Sequence, residues 1–552
     1  MKMDNRLVFL PLGGAEEIGM NLNLYGFEGK WLMVDLGVSF GEDRLPGIDT
    51  VMPDPKFIVE RRKDLVGLVL THGHEDHLGA IKYLWPKLRC PIYATPFTAK
   101  LLDSKLSESD FRDEVTVVEV PLGDRFLIGP FDLQYITTTH SIPEPNAIAL
   151  RTKLGTVLHT GDFKIDADPR VGDNFDSSTL SKLGDEGVLA VVCDSTNVFE
   201  KKISGSESSL CESLEDIISP CNGIVAITTF ASNVARIKTA VDVAIKCDRH
   251  PILVGRSLIR TVEIAREAGY LDEIPNLLSE KKVGLLPRNK VLLICTGSQG
   301  EERGALSRIA FGNNRNISLE TGDVVIFSSK IIPGNEKPIS RLQNRLSVTG
   351  VNVVTEKDAL VHVSGHPSRV ELAQMYALTR PELAIPVHGE RRHIAEHVKF
   401  ALELQIPEAI KVSNGLLVHL APGPAKVLGE VDSGKLGVDG SQIVPVDCNL
   451  LKQRRKLMVN GIINITVLID AKGDVVELPR VSSRGVCDKD DDVIWGNLKN
   501  VIMDAVLNLR TSLNSNGIDI SEVVKRCARK EIKKRRGTRP EIVVEVVKIG
   551  NF

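Results

Sequence analysis

The first two hundred residues alternate short apolar runs with turn residues, which is the pattern of buried strands joined by loops. Each run ends in Gly, Asp, His or Thr. Polar residues at strand ends are the usual means by which an α/β sandwich carries a site on loops held by its sheets. The runs are LVFLPLGG (7–14), WLMVDLG (31–37), LVGLVLTHG (65–73), TVLHTGDF (156–163) and LAVVCDST (189–196).

From about residue 209 the pattern changes to longer repeats of a strand followed by a helix. GIVAITTF (223–230) precedes a segment whose apolar positions recur at helical spacing. PILVGR (251–256), KVLLICTGSQGE (290–301) and DVVIFSSKIIPGNE (323–336) repeat the strand-then-loop form. Alternating strands and helices predict a parallel, doubly wound α/β unit.

A third pattern follows the Gly-rich stretch 423–440, which is predicted to be a connector. Residues 460–480 are predicted to form a hairpin that turns at Lys472-Gly473. A helix at about 493–513, a basic helix at 521–536 and a strand at 541–549 complete a small α+β domain.

Composition indicates a multi-domain globular protein without a global basic field. The chain has 552 residues, too many for one core, and is 42% apolar and 26% charged. Its net charge is −3, so attraction to a nucleic acid would have to come from local patches, of which the basic run 525–539 is the densest. A solvated helix face, or salt bridges to a partner subunit, explains that run equally well.

Cysteine usage and apolar runs predict the location of the protein. The nine scattered cysteines include no C-x-x-C pair, which is typical of reduced thiols. The N-terminus has no apolar signal-peptide core, and no apolar run approaches the ~20 residues that a membrane span needs. We therefore expect a cytoplasmic protein that has no membrane partner.

The motif THGHEDH (71–77) concentrates metal-binding residue types directly after a strand-like run. His72 and His74 alternate at extended spacing, so both can point to one side of a loop. Asp76 and His77 follow where the chain is expected to enter a helix. Imidazole nitrogens and carboxylate oxygens are the ligands that Zn²⁺ and Mn²⁺ prefer. Only 12 of 552 residues are histidine, so a chance cluster in a solvated loop is the weaker explanation.

Three further donors stand at other strand ends: His140 in TTTHS, Asp162 in HTGDF and His388 in PVHGE. Each is weak alone, because a single strand-end histidine is more often a hydrogen-bonded structural residue. With the first four they make seven donors, too many for one tetrahedral zinc. Seven donors suit two ions that share a bridging carboxylate.

The order of these motifs resembles that of a known superfamily. Asp35 in VDLG, then HGHEDH, TTHS, TGDF and PVHGE, resemble the successive motifs of the metallo-β-lactamase superfamily. CDSTN with Asp194, HVSGH with His362 and His366, and PVHGE resemble the motifs of its β-CASP nuclease branch. Narrower signatures resemble the bacterial ribonuclease J family, and they are PLGGAEEIGMN (11–21), FASN (230–233), TGSQGE (296–301) and SSKIIPGNE (328–336).

This resemblance covers nearly the whole chain and implies an α/β fold of three parts. These are a metallo-β-lactamase αββα sandwich, an inserted β-CASP parallel α/β domain and a small C-terminal α+β domain. The implied limits are 1–209 with 375–442 for the sandwich, 210–374 for the insertion, 443–455 for a linker and 456–552 for the last domain.

The family's metal site carries over by motif. Asp35 and Asp194 would stand behind the ligands and orient them, and a strand-end aspartate that caps a turn is the alternative for Asp194. The implied metal ligands are His72, His74 and His140 for one ion, Asp76, His77 and His388 for the other, and Asp162 as a bridge.

The motif HVSGH would bind the scissile phosphate through His362 and His366, one of which would assist the leaving oxygen. Ser364 offers a hydroxyl, and Gly365 allows close approach of the backbone. The implied catalytic residues are Asp76, His77, Asp162, His362 and His366.

Ser232 and Asn233 precede a helix whose N-terminus attracts anions. The resemblance suggests that they bind a second RNA phosphate, and plain helix capping is compatible with that role.

The resemblance thus implies a two-metal ribonuclease that hydrolyses RNA phosphodiester bonds in RNA maturation, including rRNA processing, and in mRNA decay. It would act as a 5′-to-3′ exonuclease, with endonuclease action left open, on single-stranded RNA that carries a 5′-monophosphate. A β-CASP nuclease acting on DNA is the alternative. A small-molecule hydrolase leaves HVSGH unused, and a non-enzymatic scaffold is disfavoured because every ligand position is filled. Two Zn²⁺ are expected, with Mn²⁺ or Mg²⁺ as alternatives, in a homodimer or homotetramer.

Overall fold

The computed structural model describes residues 5–41, 44–471, 474–486, 492–511 and 519–549. The chain divides into two compact units, Met1–Phe40 with Thr50–Leu436 and Gly41–Asp49 with Gly437–Phe552. Among the described residues, no helix is long and apolar enough to cross a membrane. The cysteines within the described ranges are free thiols.

The first unit is built on two large sheets. The eight-stranded sheet has, in spatial order, the strands Lys426–Glu430, Leu416–Ala421, Leu7–Gly13, Leu22–Phe27, Lys30–Val34, Leu65–Val69, Ile92–Ala94 and Val117–Glu119. The seven-stranded sheet has the strands Arg125–Ile128, Phe131–Thr137, Asn146–Thr152, Gly155–His159, Ala190–Asp194, Leu383–Val387 and Glu408–Ala409. Short strands Ala15–Glu16 and Gly389–Glu390 pair in parallel, and Ser39–Phe40 pairs with Thr50–Pro53.

The two sheets pack face to face around one apolar core. Phe9 and Tyr25 from the first sheet share this core with Phe131 and Leu150 from the second. Helices cover the outer face of the second sheet, where a separate core includes Met375 and Tyr376. The helices of this sandwich are Lys56–Val59, Glu75–Leu78, Ile81–Leu88, Pro96–Leu106, Ser177–Glu186, Arg369–Thr379 and Arg391–Glu403, with a 3₁₀ turn at Arg112–Glu114. This confirms the predicted sandwich.

A parallel α/β insertion stands between strands Ala190–Asp194 and Leu383–Val387. Its five-stranded sheet has the order His250–Val254, Val291–Cys295, Val225–Thr228, Val324–Phe327 and Asn352–Val354, and every pairing is parallel. One apolar core lies on each face of the sheet. Its helices are Leu210–Ile218, Val234–Lys246, Arg256–Glu267, Ala305–Ala310 and Glu336–Val348, with 3₁₀ turns at Glu207–Ser209, Glu280–Leu285 and Arg288–Lys290. The predicted doubly wound unit is confirmed.

The second unit contains a small α+β fold. Strand Ile462–Ile469 pairs antiparallel with Arg480–Arg484 and parallel with Glu541–Lys548. Helices Asp492–Thr511 and Ile520–Arg536 supply Leu498 and Val524 to its core. The predicted α+β domain is confirmed, whereas its predicted turn at Lys472-Gly473 lies outside the described residues.

The segment expected to connect the parts of the chain has regular structure. Residues 423–440 include strands Lys426–Glu430 and Lys435–Asp439, and strand Gln442–Pro445 follows. Helix Asn449–Asn460 overlaps the expected linker 443–455. Glycine-rich composition predicted a connector there, but apolar residues such as Leu436, which is buried, hold parts of it in strands. The limits given above for the domains stay a prediction.

Candidate metal centre

Two parallel strands of the first sheet deliver the motif THGHEDH and Asp35 to the same place. Strand Lys30–Val34 ends directly before Asp35, and its parallel neighbour Leu65–Val69 ends three residues before His72. Carboxyl ends of parallel strands meet at one edge of a sheet, so these residues come together. The motif then turns into helix Glu75–Leu78, as its sequence predicted.

The second sheet brings its donors to the facing edge in the same way. Three parallel strands end there, and His140 follows strand Phe131–Thr137 beside them. His388 has a φ of 53°, a left-handed conformation that costs backbone energy and is typical of functional sites. The strands and the residues they lead to are Gly155–His159 with Asp162, Ala190–Asp194 with Asp194 itself, and Leu383–Val387 with His388.

The first group of donors consists of His72, His74, His140 and Asp162, whose ligand atoms lie within 4.8 Å of one another. His74 Nδ1 is 3.0 Å from His72 Nε2 and 3.1 Å from His140 Nε2. Asp162 Oδ2 is 3.9 Å from both His72 Nε2 and His140 Nε2. These are the ligands predicted for one metal ion.

The second group consists of Asp76, His77, Asp162 and His388, again within 4.8 Å. Asp162 Oδ2 is 3.1 Å from His77 Nε2, and Asp76 Oδ2 is 3.1 Å from His388 Nε2. These are the ligands predicted for the other ion. Asp162 belongs to both groups, which is the position that the sequence predicted for a bridging carboxylate.

Hydrogen bonds behind the rings direct lone pairs into the cluster. Asp35 accepts from His77 Nδ1 at 2.7 Å and from the Thr71 hydroxyl at 2.9 Å. Since the Thr71 hydroxyl donates to Asp35, it accepts from His72 Nδ1 at 3.0 Å. Gly365 accepts from His140 Nδ1 through its carbonyl oxygen. The Nε2 lone pairs of these three histidines therefore face inward, as metal ligation requires.

A hydrogen bond at Nδ1 also orients His388, in the second group of donors. Its Nδ1 lies 2.8 Å from the Thr196 hydroxyl, which donates to Asp194 Oδ1 at 2.7 Å. The Thr196 hydroxyl can then only accept from His388, which leaves the Nε2 lone pair of His388 toward Asp76 and the site. Gly19 donates its N–H to that nitrogen at 3.2 Å.

Burial and charge shift the ionisable groups of the cluster in two directions. Burial lowers the pKa of His72 and His140 well below the ordinary value and that of His74 to about 4, so these rings are neutral. Burial acts in the same direction on His77 and His388, but Asp162 and the other nearby carboxylates outweigh it and raise both pKa values.

This donor set fits divalent cations. Converging imidazole lone pairs and carboxylates repel one another unless a cation lies between them. Among the described residues, no Lys or Arg forms an ion pair with Asp76, Asp162 or Asp194. The cluster therefore has the composition, burial and lone-pair orientation of a site for two metal ions.

The loop HVSGH lies directly beside this cluster. His366 Nδ1 donates to Asp194 Oδ2 at 2.7 Å and is 3.8 Å from Asp162 Oδ2. A Cβ on Gly365 would lie 2.7 Å from two ring atoms of His140, so only glycine fits there. Ser364 Oγ accepts from Asn197 Nδ2 at 2.7 Å and from the His366 N–H at 3.1 Å.

A third donor group of Asp162, Asp194, His366 and His388 overlaps the second. Asp194 already accepts hydrogen bonds from His366 and from both the N–H and hydroxyl of Thr196. Its hydrogen bonds to Thr196 cap the following turn, and its orienting role behind His366 and His388 stays a prediction.

Ser232 and Asn233 lie at the start of helix Val234–Lys246, at the carboxyl edge of the parallel sheet. The Asn233 side chain accepts from the Arg236 N–H at 2.9 Å, which is N-terminal capping. Arg236 connects this turn to HVSGH, because its Nη1 lies 3.3 Å from His362 Nδ1. Burial, followed by the charge of Arg236, lowers the pKa of His362 well below its ordinary value.

Sequence reasoning missed Thr71, Thr196, Asn197 and Arg236. Thr71 and Thr196 stand inside the motifs THGHEDH and CDSTN. A hydroxyl next to a predicted ligand is the signal that could have identified both as hydrogen-bond partners of the ligands. Asn197 belongs to CDSTN, where the same signal applied. Nothing in the sequence around Arg236 pointed to His362, because their contact depends on the fold.

The chain matches four described sequence families. "Metallo-beta-lactamase superfamily" matches residues 21–189 and "Ribonuclease J, beta-CASP domain" matches residues 222–346. "Zn-dependent metallo-hydrolase RNA specificity domain" matches residues 350–407 and "Ribonuclease J C-terminal domain" matches residues 449–549. Together they follow the order of domains that the motifs predicted.

Individual relatives agree with these matches. Ribonuclease J of Sinorhizobium meliloti is 42% identical over 555 residues, covering 100% of this chain and 98% of that protein. Ribonuclease J of Synechocystis is 36% identical over 485 residues, covering 87% and 76%. A protein of unknown function from Enterococcus faecalis, solved by crystallography, has a TM-score of 0.53 at 15% identity, covers 75% of this chain and 100% of its own, and supports the fold alone. At such identity over the full length, the chain belongs to the ribonuclease J family.

Proposed function

We propose that this protein is a metal-dependent ribonuclease that hydrolyses RNA phosphodiester bonds with two divalent ions. The observation that carries the proposal is the convergence of six ligand-type side chains on Asp162, with the HVSGH loop packed against His140 at Gly365. The full-length similarity to ribonucleases J favours RNA over DNA as the substrate.

The ions would be held by His72, His74 and His140 on one side, by Asp76, His77 and His388 on the other, and by Asp162 between them. When bound, such ions lower the pKa of water toward neutrality and neutralise charge on a phosphoryl group. The protein orients the ligand atoms so that their lone pairs point toward the ions. Asp35 does so by holding the proton of His77 at Nδ1, and Gly365 does so for His140.

A proton must reach the leaving 3′ oxygen, and we assign this to His366. Its Nδ1 proton is held by Asp194 at 2.7 Å, which stabilises a positively charged ring and leaves Nε2–H free to donate. His362 and His366, with Ser364 and the backbone at Gly365, would bind the scissile phosphate. The same pairing of carboxylate and histidine orients general acids in many hydrolases.

We propose Zn²⁺ as the resident metal. The donor set has histidines and carboxylates without thiolate, which suits Zn²⁺ and also accommodates Mn²⁺. Mg²⁺ is the weaker candidate because it prefers oxygen ligands and water to imidazole. Metal analysis of protein purified without added metal, followed by activity after reloading with each ion, distinguishes the three.

We further propose that degradation runs from the 5′ end. The turn at Ser232 and Asn233 would bind a terminal phosphate at the N-terminus of helix Val234–Lys246, where the helix dipole attracts anions. A pocket for a 5′-monophosphate at a fixed distance from the metals makes exonuclease cleavage directional, and internal cleavage would follow when a chain bypasses that pocket. A cytoplasmic homodimer or homotetramer active in rRNA processing and mRNA decay is the matching proposal for the whole protein.

The test compares four substrates: 5′-monophosphate RNA, 5′-triphosphate RNA and DNA of the same sequence with either end. We expect Mn²⁺- or Zn²⁺-dependent release of mononucleotides from 5′-monophosphate RNA, slower attack on the triphosphate and little on DNA. Asp76→Asn should abolish cleavage. Glu75→Gln is the matched control, because Glu75 is the exposed neighbour that pairs with Lys105. Equal cleavage of DNA, or an active Asp76→Asn, contradicts the proposal.

A further inference from the structure

Arg236 is a fully buried arginine whose charge the fold places next to HVSGH. It is 0% exposed and stands in the first turn of helix Val234–Lys246. Its Nη2 and Nε donate to the two oxygens of Glu207 at 2.8 and 3.0 Å. Glu207 is itself 3% exposed, so this two-pronged pair is shielded from water and fixes the plane of the guanidinium.

The remaining nitrogen of the guanidinium, Nη1, points toward Ser328 and toward the start of the loop HVSGH. Arg236 Nη1 donates to Ser328 O at 2.8 Å and to Ser328 Oγ at 2.7 Å. The same nitrogen lies 3.4 Å from Val361 O and 3.3 Å from His362 Nδ1. Ser328 Oγ in turn donates to Val361 O at 2.6 Å, so the segment leading into HVSGH is held from two directions.

The polarity of the contact with His362 follows from the chemistry of arginine. A guanidinium carries only donors and remains charged in proteins, so an N–H of Arg236 facing His362 Nδ1 requires a lone pair on that nitrogen. A neutral imidazole with a lone pair on Nδ1 carries its proton on Nε2. The nearby positive charge also disfavours a second proton on the ring.

We infer that Arg236 is a positioning residue that holds His362 as the neutral Nε2–H tautomer, so that His362 donates a hydrogen bond to a phosphoryl oxygen of RNA and transfers no proton. This inference rests on the proposed function for its substrate, although the tautomer itself does not depend on it. The two histidines of HVSGH therefore have different roles because their Nδ1 atoms have different partners. The buried cation of Arg236 contacts His362, and the Asp194 carboxylate contacts His366.

The surroundings of His362 agree with this division. Burial is the main cause that lowers the pKa of His362 well below its ordinary value, and the charges of Arg236, Lys330 and Lys164 act in the same direction. Asp194 and Asp162 act on His366 in the opposite direction and raise its pKa above that value, against the effect of burial.

The tautomer can be read directly by magic-angle-spinning ¹⁵N NMR of the full-length protein, labelled at the histidine ring nitrogens and loaded with diamagnetic Zn²⁺. The difference spectrum against His362→Gln assigns the signals of His362. We expect one protonated nitrogen at Nε2 and one unprotonated nitrogen at Nδ1 at pH 7. A proton on Nδ1, or protons on both nitrogens, overturns the inference whatever the enzyme does to RNA.

Arg236→Met tests the cause of the tautomer. We expect the His362 signals to move toward a mixture of tautomers or to Nδ1–H, whereas Arg236→Lys keeps a cation and part of the effect. Arg249→Met is the matched control, because Arg249 is 5% exposed in the same insertion and donates to Gly223 O at 2.8 Å and Val291 O at 3.1 Å. Unchanged His362 signals in a folded Arg236→Met overturn the role of Arg236.

Kinetics separates a hydrogen-bond donor from a proton donor. Glutamine places an amide N–H near the position of the histidine Nε2 and can keep much of the hydrogen bond, so His362→Gln should lose at most about tenfold in kcat, the scale of one whole hydrogen bond. His366→Gln should lose about 10²–10⁴-fold, the scale of general acid catalysis. The acid and basic limbs of the kcat–pH profile should remain in His362→Gln. Loss of the basic limb there, with a 10²-fold or greater fall in kcat, identifies His362 as the proton donor and contradicts the inference.

The two accounts fail separately. Wild-type protein that never cleaves RNA refutes the proposed function while leaving the NMR prediction intact. Wild-type protein that cleaves RNA with His362 protonated on Nδ1 refutes only the inference about Arg236.

Discussion

At the scale of single residues, His77 shows how a ligand is fixed from both sides. Its Nδ1–H donates to Asp35 Oδ2 at 2.7 Å, and its Nε2 lies 3.1 Å from Asp162 Oδ2. Asp35 is fully buried, has a φ of 61° and also accepts from the N–H of Thr71 at 2.8 Å. Strained backbone conformations of this kind cluster at functional sites.

Replacing this carboxylate should weaken the metal site without removing a ligand. Asp35→Asn leaves the shape but removes the charge that holds His77 in one tautomer, so we expect about 10–100-fold weaker metal binding or activity. Calorimetric titration of metal-free protein with Zn²⁺ measures it. Asp64→Asn, at a half-exposed residue that pairs with Lys30, should match wild type. Wild-type affinity in Asp35→Asn would show that Asp35 does not orient the ligand.

His397 should make stability depend on pH through burial. Its Nδ1 lies 2.8 Å from Ser195 Oγ and its Nε2 lies 2.9 Å from the Tyr376 hydroxyl. Burial lowers the pKa of His397 to about 3. Because the folded pKa lies below the unfolded value of about 6.5, only the unfolded chain takes up a proton between those values, so stability falls as the pH drops below about 6.5.

The size of this effect follows from the two pKa values. From pH 7.5 to pH 5, His397 should lose about 2 kcal/mol of its contribution to folding. Urea unfolding of metal-free wild type and of His397→Gln, which does not titrate, measures the difference between them across that range. A difference that stays constant with pH would contradict the prediction.

At the scale of elements, the site depends on close approaches between strands and loops. Gly365 lies against the ring of His140, and a Cβ on Gly37 would lie 1.7 Å from Asp76 O. These contacts join the loop HVSGH and the turn after strand Lys30–Val34 to the metal ligands. Glycine is required at both positions because any side chain would displace a ligand or its backbone.

Gly365→Ala should therefore separate catalysis from folding. The added methyl group meets His140 at 2.7 Å, so the loop must move, and we expect roughly 100-fold lower kcat for a loss of stability of about 1–3 kcal/mol. Gly284→Ala is the control, because nothing lies within 4 Å of a Cβ there. Cleavage rates and melting temperatures of both variants test this. A fully active Gly365→Ala would mean that the loop position is unimportant.

The elements also show what the sequence could and could not predict. HGHEDH predicts a metal site from sequence alone because four donors stand within six residues. The pattern of strands then placed the other candidate ligands at strand ends. The contact of Arg236 with Glu207 and His362 joins three segments whose local sequences carry no sign of it. Pairings of this kind follow from packing of a particular sheet and helix, which local propensity does not specify.

At the scale of the whole molecule, the metal site ties together distant parts of the first unit. Asp35 and His388 are separated by most of that unit, and the insertion lies between Asp194 and His388 in the chain. Metal ions that bind the assembled site and not the unfolded chain must stabilise the folded state. Stability and metal content are therefore linked.

Zn²⁺ should raise the melting temperature of the metal-free protein. At a free concentration 100 times the Kd the stabilisation is about 2.7 kcal/mol for each site. His77→Ala should lose part of this rise, and Glu75→Gln should keep it. Scanning calorimetry with and without Zn²⁺ measures the shift. A melting temperature that does not change with Zn²⁺ would exclude a metal site formed by distant segments of the first unit.

The most direct measurement is anomalous diffraction at the zinc edge from crystals of the metal-loaded protein. We predict two anomalous peaks, one among His72, His74 and His140 and one among Asp76, His77 and His388, with Asp162 reaching both. A single peak, or peaks away from these side chains, would contradict the two-metal account.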